Sequence, residues 1–205
     1  MTRDEQKAAT RLRILQSALN TFAERGFEGA GIRQIASDAG VKHGLVGYYF
    51  KDKDGLWKAA VEFLFERLHE KMQMSPHESE LPAHERSKIW LRRYVRYCAQ
   101  HPAHARIMVQ ESIRDSGRLR WAVRKFIKPD HELLKQSFER LVADGIALDI
   151  PYHSYIYMFT AAAQSPFLLA AEVRQAHGIN VTDEAFIEAH ADAVHAVFFS
   201  HWHPV

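Results

Sequence analysis

The stretch from Gly31 to Lys53, GIRQIASDAGVKHGLVGYYFKDK, constrains the fold most, because it predicts two short helices joined by one tight turn. Apolar residues at the spacing of a single helical stripe begin this stretch, and they are Ile32, Ile35, Ala36 and Ala39. Gly40 ends the first helix, since glycine adopts a positive φ without a Cβ penalty. A second short helix over about residues 42–48 completes a helix-turn-helix pattern.

The composition is that of a globular protein, with 47% hydrophobic and 25% charged residues among 205. The first residues, MTRDEQKAATR, lack the apolar segment of a signal peptide, and the sequence has no run of about 18 apolar residues that could cross a bilayer. We therefore expect a cytoplasmic protein with no membrane partner. The single cysteine, Cys98, cannot form an internal disulfide.

Positive charge is concentrated in the first two thirds of the chain. Beyond residue 143, Arg174 is the only Lys or Arg, whereas Asp and Glu are frequent there. Only the first two thirds therefore favours a polyanionic partner.

Helical spacing of apolar residues recurs along the rest of the chain. The segment MSPHESELPAHE, with two prolines, predicts a loop. Pro129 is expected to kink or divide the helix in which it falls. The remaining helices are predicted at about residues 7–25, 54–72, 89–98, 103–113, 118–144, 152–174 and from 182 onward. No strand alternation stands out, so the sequence predicts an all-α fold of roughly nine helices.

The last two predicted helices are too apolar to be covered within one small chain, which favours a homodimer interface built as a four-helix bundle across a two-fold axis. The residues predicted at this interface are Phe167, Phe186, Ala189, His190, Ala193 and Val197.

The first 70 or so residues resemble the TetR family of bacterial transcriptional regulators. The resemblance lies in ILQSALNTFAERGFEGAGIRQIASDAGV, then GLVGYYF, then KDGLWKAAV, and it covers about a third of the chain. The blocks HPAHARIMVQE and GIALDIP look like a C-terminal ligand-binding and dimerisation type common in that family. The resemblance implies a three-helix DNA-binding domain at residues 1–53, with its motif at about 31–50, and a helical effector-binding and dimerisation domain at 54–205.

Site residues follow from the resemblance position by position. It implies that His43, Gly44 and Gly47 face the bases, beside Lys42, and that Tyr48, Tyr49 and Lys53 hold phosphates together with Arg33 on the supporting helix. A short helix can enter the major groove while phosphate contacts fix its register. The expected partner is a double-stranded DNA operator.

Three positions depart from the family pattern. Gly31 stands where a capping Thr is usual, and Lys42 where a capping Ser is usual. We expect both helices to begin without a side-chain cap, each worth about 1 kcal/mol. Gly47 replaces a frequent Tyr, which removes a base-reading side chain and permits closer approach of the backbone to DNA.

An unidentified small-molecule effector is also expected, because mixed aromatic, soft and polar residues suit a ligand cavity, although the same residues could be plain core. The candidates are Trp90, Tyr94, Cys98, Met108, Glu111, Trp121, Phe126 and Phe159. A basic run could face solvent or an anionic effector, and it comprises Arg114, Arg118, Arg120, Arg124, Lys125 and Lys128.

Cys98, His101 and His104 have the spacing C-x2-H-x2-H, but Pro102 interrupts the helix and no fourth ligand is indicated. We expect neither a metal nor a cofactor. The sequence therefore predicts a ligand-responsive DNA-binding regulator, a repressor that a small molecule releases from its operator. The alternatives are an effector-independent or activating DNA binder and an enzyme that uses Cys98 and His101.

Overall fold

The computed structural model describes residues 2–199, and within that range the fold is all-α. Twelve α-helices and one π-helical turn make up the described chain. They are α1 (Arg3–Gly29), α2 (Ile32–Asp38), α3 (His43–Phe50), α4 (Lys53–Met72), α5 (Pro76–Ser79), α6 (Ala83–Gln100), α7 (Pro102–Arg114), α8 (Gly117–Ala122), the π turn (Val123–Ile127), α9 (Lys128–Ala143), α10 (Tyr152–Leu168), α11 (Ala170–His177) and α12 (Glu184–Phe199). Over residues 2–199, none of these helices combines the length and apolar character that a membrane crossing requires.

Helix α1 begins four residues earlier than predicted, because Thr2 closes a capping box with Glu5. The Thr2 hydroxyl accepts the Glu5 N–H at 3.2 Å, and the Glu5 carboxylate accepts the Thr2 N–H at 2.7 Å. Gly26, the predicted end of the helix, has φ 69° and interrupts α1 before its last short turn.

The segment predicted as a loop contains a short helix, α5. Ser75 accepts the Glu78 N–H, the Glu78 carboxylate accepts the Ser75 N–H, and Pro76 occupies the first turn. The loop prediction was wrong because proline, which disrupts the interior of a helix, is well suited to its first turn.

The predicted helix over residues 152–174 is in fact two helices, divided at Leu169. Pro166 lies inside α10 and has no N–H, so it leaves the Ala162 carbonyl without its intrahelical donor. The Nε2 of His190, on α12, lies 3.0 Å from that carbonyl oxygen and replaces the missing donor.

The described chain divides into two compact units, residues 2–67 with 103–122 and residues 68–102 with 123–199. The core of the first unit comprises buried side chains of α1, α2, α3 and α4, among them Ile14, Phe22, Ile35, Val46 and Trp57. The core of the second unit is formed by α6, α9, α10 and α12, with Leu91, Phe138, Phe159 and Val194 buried.

Candidate nucleic-acid interface

Helices α2 and α3 are fixed on the first unit by their buried faces. Ile35 is fully buried, and the Ser17 hydroxyl of α1 donates to its carbonyl oxygen at 2.9 Å. In α3, Val46 and Phe50 are buried, at 1% and 6% exposure. These contacts hold the short α3 in place, although an isolated helix of eight residues would be unstable in water.

The opposite face of α3 is open to solvent. Exposed residues run along it and comprise Lys42, His43, Gly44, Gly47 and Tyr48. Tyr48 is 71% exposed. Leu45 is apolar but 37% exposed, because Val46 and Phe50 form the buried side of the helix.

Neither α2 nor α3 has a side-chain cap at its start. Gly31 and Lys42 occupy the two N-cap positions without a side-chain hydrogen bond, which confirms the expectation from sequence. A Cβ added at Gly44 or at Gly47 would meet no atom within 4 Å. The exposed face of α3 therefore presents backbone and open space where a larger side chain would fit.

Aromatic residues of α3 are bordered by cations of α1. The Lys7 Nζ lies 6.0 Å from the centre of the Tyr48 ring, and the Arg11 guanidinium lies 5.5 Å from that of Phe50. Tyr49 is half-buried and meets Tyr48 edge-on at 5.2 Å. Lys7 and Arg11 are themselves exposed.

The two other cations assigned by the resemblance differ in surroundings. Arg33 is exposed on α2. Lys53 is half-buried, and its Nζ donates to the Glu28 carbonyl oxygen at 3.2 Å and lies 4.7 Å from the Phe27 ring centre. The Lys53 ammonium is thus held against the last turn of α1.

Helices α7 and α8 belong to the same unit as α1 to α3. Glu111 is 1% exposed and accepts from Arg118 Nε at 3.2 Å and from the Ser116 hydroxyl. The Gln110 amide donates to the Ala23 carbonyl at 2.9 Å. Sequence reasoning assigned Arg118 to a basic run, but its side chain is only 17% exposed and serves this internal contact.

The predicted effector residues fall into different parts of the chain. Met108, Glu111 and Trp121 lie in the first unit, where Trp121 meets Trp57 edge-on at 6.0 Å. In the second unit, Trp90 stacks on Tyr94 at 5.4 Å, and both approach Phe159 at 6.0 Å. Cys98 is buried beside them, and Phe126 is half-buried in the π turn.

Cys98, His101 and His104 do not form a metal site. Within residues 2–199, no group of three or more His, Cys, Asp or Glu side chains could hold a metal ion. The His101 ring is tilted against that of Tyr97 at 4.9 Å, and the His104 ring meets that of Phe65 edge-on at 4.6 Å. Burial raises the pKa of the Cys98 thiol to about 12, so at neutral pH it is protonated and lacks the thiolate that a nucleophile needs.

The predicted interface residues differ in exposure. Ala189, Ala193 and Val197 of α12 are exposed, with Val197 at 65%. Phe167 is buried in the core of its own chain at 3% exposure. His190 is half-buried and lies 5.9 Å from the parallel ring of Phe186 and 5.8 Å from Phe167.

A short helix with one buried and one exposed face, set after a supporting helix and a glycine turn, defines a helix-turn-helix DNA-binding protein. Residues 14–60 match the family described as bacterial regulatory proteins, tetR family. Residues 14–60 thus carry the DNA-binding domain of this family, as expected of a DNA-binding transcriptional regulator.

Known proteins resemble the chain to different extents. YttP of Bacillus subtilis (strain 168), described as a probable HTH-type transcriptional regulator, is 23% identical over 163 residues, which are 79% of each chain. The HTH-type transcriptional regulator BetI of Serratia proteamaculans (strain 568) is 38% identical over 64 residues, 31% of this chain and about a third (32%) of BetI. The structure of AibR in complex with isovaleryl coenzyme A and operator DNA has a TM-score of 0.74 at 15% identity, over 94% of this chain and 100% of AibR.

Proposed function

We propose that this protein is a homodimeric repressor that leaves its operator when a small molecule binds. The observation that carries the proposal is the division of α3 into a buried face, with Val46 and Phe50, and an exposed face, with His43 and Tyr48. A two-fold dimer presents one such helix to each half-site of a palindrome, about one helical turn of DNA apart. Because the proposed partner of this protein is chromosomal DNA, we propose that the protein acts in the cytoplasm.

Dimerisation is supported by the apolar surface that α10 and α12 leave uncovered in a single chain. Tyr157 and Met158 of α10 are 66% and 49% exposed, and Ala189, Ala193 and Val197 of α12 follow at helical spacing. Two helices from each chain would bury these faces in a four-helix bundle. Because Phe167 already lies in its own core, the proposed interface is centred on the exposed residues.

Effector binding is proposed for residues 54–205, with residues 1–53 as the DNA-binding domain. The residues proposed to contact the ligand are Trp90, Tyr94 and Phe159, whose rings pack together in the second unit. AibR, which has the same fold, was solved with isovaleryl coenzyme A and operator DNA, so acyl thioesters are the first class to test. A difference in binding free energy of about 1 to 3 kcal/mol between two states of the dimer suffices to change operator affinity.

The experiment begins with fragments of the host genome selected by the purified protein. Fluorescence anisotropy then measures binding to the selected duplex, with and without a panel of acyl thioesters and other metabolites. We expect tight binding that one ligand class weakens, and Trp90→Ala is expected to raise the ligand concentration required. Leu133→Ala, at an exposed site of α9, is the matched control.

Each other outcome has a distinct meaning. Failure to select any duplex would overturn the DNA-binding proposal itself. Binding that no metabolite alters would favour an effector-independent regulator. A reporter gene whose expression rises when the protein is present would identify an activator.

A further inference from the structure

The connection between the recognition helix α3 and α4 is a three-residue γ-turn. Lys51, its central residue, has φ 69° and ψ −63°. The Asp52 N–H donates to the Phe50 carbonyl oxygen at 2.8 Å and closes the turn. This conformation is rare and strained for a residue that carries a Cβ.

Contacts on both sides hold the turn in this geometry. The Lys51 N–H donates to the Gly47 carbonyl at 2.9 Å, and the Gly55 N–H donates to Asp52 Oδ1 at 2.7 Å. A Cβ at Gly55 would lie 2.2 Å from the Phe50 carbonyl oxygen, so α4 approaches the end of α3 as closely as glycine allows. The backbone of Lys51 is therefore fixed by its neighbours.

Lysine is an unexpected residue at such a position, because glycine adopts a positive φ freely and lysine does not. Strain of this kind persists where the surrounding structure enforces it, and it is concentrated at functional sites. The Lys51 side chain is exposed, whereas the Lys53 ammonium is held by Glu28 and Phe27. Of these two lysines, Lys51 has the ammonium that is more available to an external anion.

Two further exposed cations lie beside the same end of α3. Arg11 covers the ring of Phe50, the residue before Lys51, and Lys7 lies over the ring of Tyr48. Exposed lysine and arginine side chains grouped in this way favour a polyanion, and each phosphate that they neutralise releases condensed counterions.

We propose that Lys51, together with Lys7 and Arg11, forms a phosphate-binding strip at the carboxyl end of α3. The strip binds the operator backbone beyond the base pairs that His43 and Gly44 face at the amino end. It rests on the proposed operator binding and adds residues that the helix-turn-helix motif does not assign. The γ-turn holds the Lys51 ammonium at a fixed point relative to α3.

The test measures binding of a duplex selected by the wild-type protein from a random-sequence pool, at salt concentrations from about 50 to 200 mM. Lys51→Ala is expected to weaken binding about tenfold at the lowest salt and to reduce the slope of log K against log salt by about 0.9 for each protomer. Lys51→Arg is expected to keep the wild-type affinity and the wild-type salt slope. Lys71→Ala removes the same charge from an exposed site near the other end of α4 and is expected to change neither.

Lys51→Gly separates phosphate binding from a purely structural role. Glycine relaxes the turn, so the thermal midpoint of the Lys51→Gly variant is expected to rise. The affinity of this variant for the duplex is expected to fall as far as that of Lys51→Ala. Wild-type affinity and salt slope in Lys51→Ala would overturn the strip and leave the proposed operator binding intact. A wild-type protein that selects no duplex would overturn both proposals.

Discussion

The guanidinium carbon of Arg118 lies 3.6 Å from the centre of the Phe27 ring. Phe27 follows Gly26, at which α1 is interrupted, and Arg118 also bonds the buried Glu111 of α7. One side chain of α8 thus joins α7 to the end of α1.

Removal of Arg118 is expected to destabilise the protein strongly. Arg118→Met leaves the buried Glu111 carboxylate without its cation, which costs about 3 kcal/mol of unfolding free energy in urea titrations. The double variant Glu111→Gln with Arg118→Met is expected to recover part of this loss. Arg120→Met is the control, because Arg120 is 58% exposed beside Asp115 and should cost no more than about 1 kcal/mol. Equal losses of unfolding free energy in Arg118→Met and Arg120→Met would contradict the prediction.

The same substitution at two glycines should have opposite effects. Gly55→Ala places a Cβ 2.2 Å from the Phe50 carbonyl, and the backbone must move at a cost of about 2 kcal/mol. Gly47→Ala enters open space inside a helix, so we expect about 0.5 to 1 kcal/mol of added stability. Thermal unfolding followed by circular dichroism measures both changes. A stable Gly55→Ala variant would mean that α3 and α4 are less closely joined than described.

A charge on the exposed face of α12 should separate the proposed dimer. Val197→Glu is expected to give a folded monomer by light scattering. Operator binding should weaken on the order of a hundredfold, because each subunit then binds its half-site independently of the other. Leu133→Glu on α9 is the matched control, since Leu133 and Val197 are both 65% exposed. If Leu133→Glu alone produced the monomer, the interface would involve α9.

Unfolding free energy should decrease as the pH falls below about 7. Burial lowers the pKa of His195, and nearby Lys88, Arg92 and His84 lower it further, while Asp192 opposes them. Because the folded state binds protons more weakly than the unfolded state, stability is complete above the unfolded pKa near 6.5 and is lost as the pH falls toward the lowered folded value. His195→Leu should reduce this loss in urea titrations at pH 7 and pH 5.

The control for that experiment is His153→Leu, since His153 is exposed. Loss of the pH dependence in the His153 variant would assign the effect elsewhere. Burial also lowers the pKa values of His131 and His190, so part of the decrease should remain in the His195 variant.

Local features of the fold could be predicted from the sequence because neighbouring residues determine them. The turn at Gly40, with φ 63°, and the missing caps of α2 and α3 are of this kind. The capping boxes of Thr2 with Glu5 and of Ser75 with Glu78 have the pattern S/T-x-x-E and were equally accessible, although the prediction overlooked them.

The buried face of α4 was harder to predict. Helical spacing places Leu56, Ala59, Ala60, Phe63, Leu64 and Leu68 on one stripe. Leu56, Ala60 and Leu64 are buried as this predicts, but Ala59 and Phe63 are only half-buried, and Trp57, Val61 and Phe65 outside the stripe are buried as well. Apolar residues surround most of this part of α4, so periodicity alone does not select a face. Phe63 remains half-buried beneath Arg67, whose guanidinium lies 4.3 Å from its ring.

Contacts between distant segments could not be predicted, because periodicity carries no information about partners. Gln110 and Ala23, 87 residues apart, are joined by one hydrogen bond. The basic run suggested solvent or an anion around Arg118, and its burial against Glu111 depends on how α7 and α8 pack. The DNA-binding residues, by contrast, are predicted through their resemblance to a known motif, and their contacts with DNA stay a prediction.

The proline in α10 has a consequence for specificity of assembly. The Ala162 carbonyl that Pro166 leaves open is met by the ring of His190. A slide of α12 by one residue would bring Ala189 or Ala191 to that place, and an alanine side chain has no donor. The missing N–H donor in α10 therefore sets the register of α12 against it. That register in turn determines which side chains of α12 a second copy of the chain would meet.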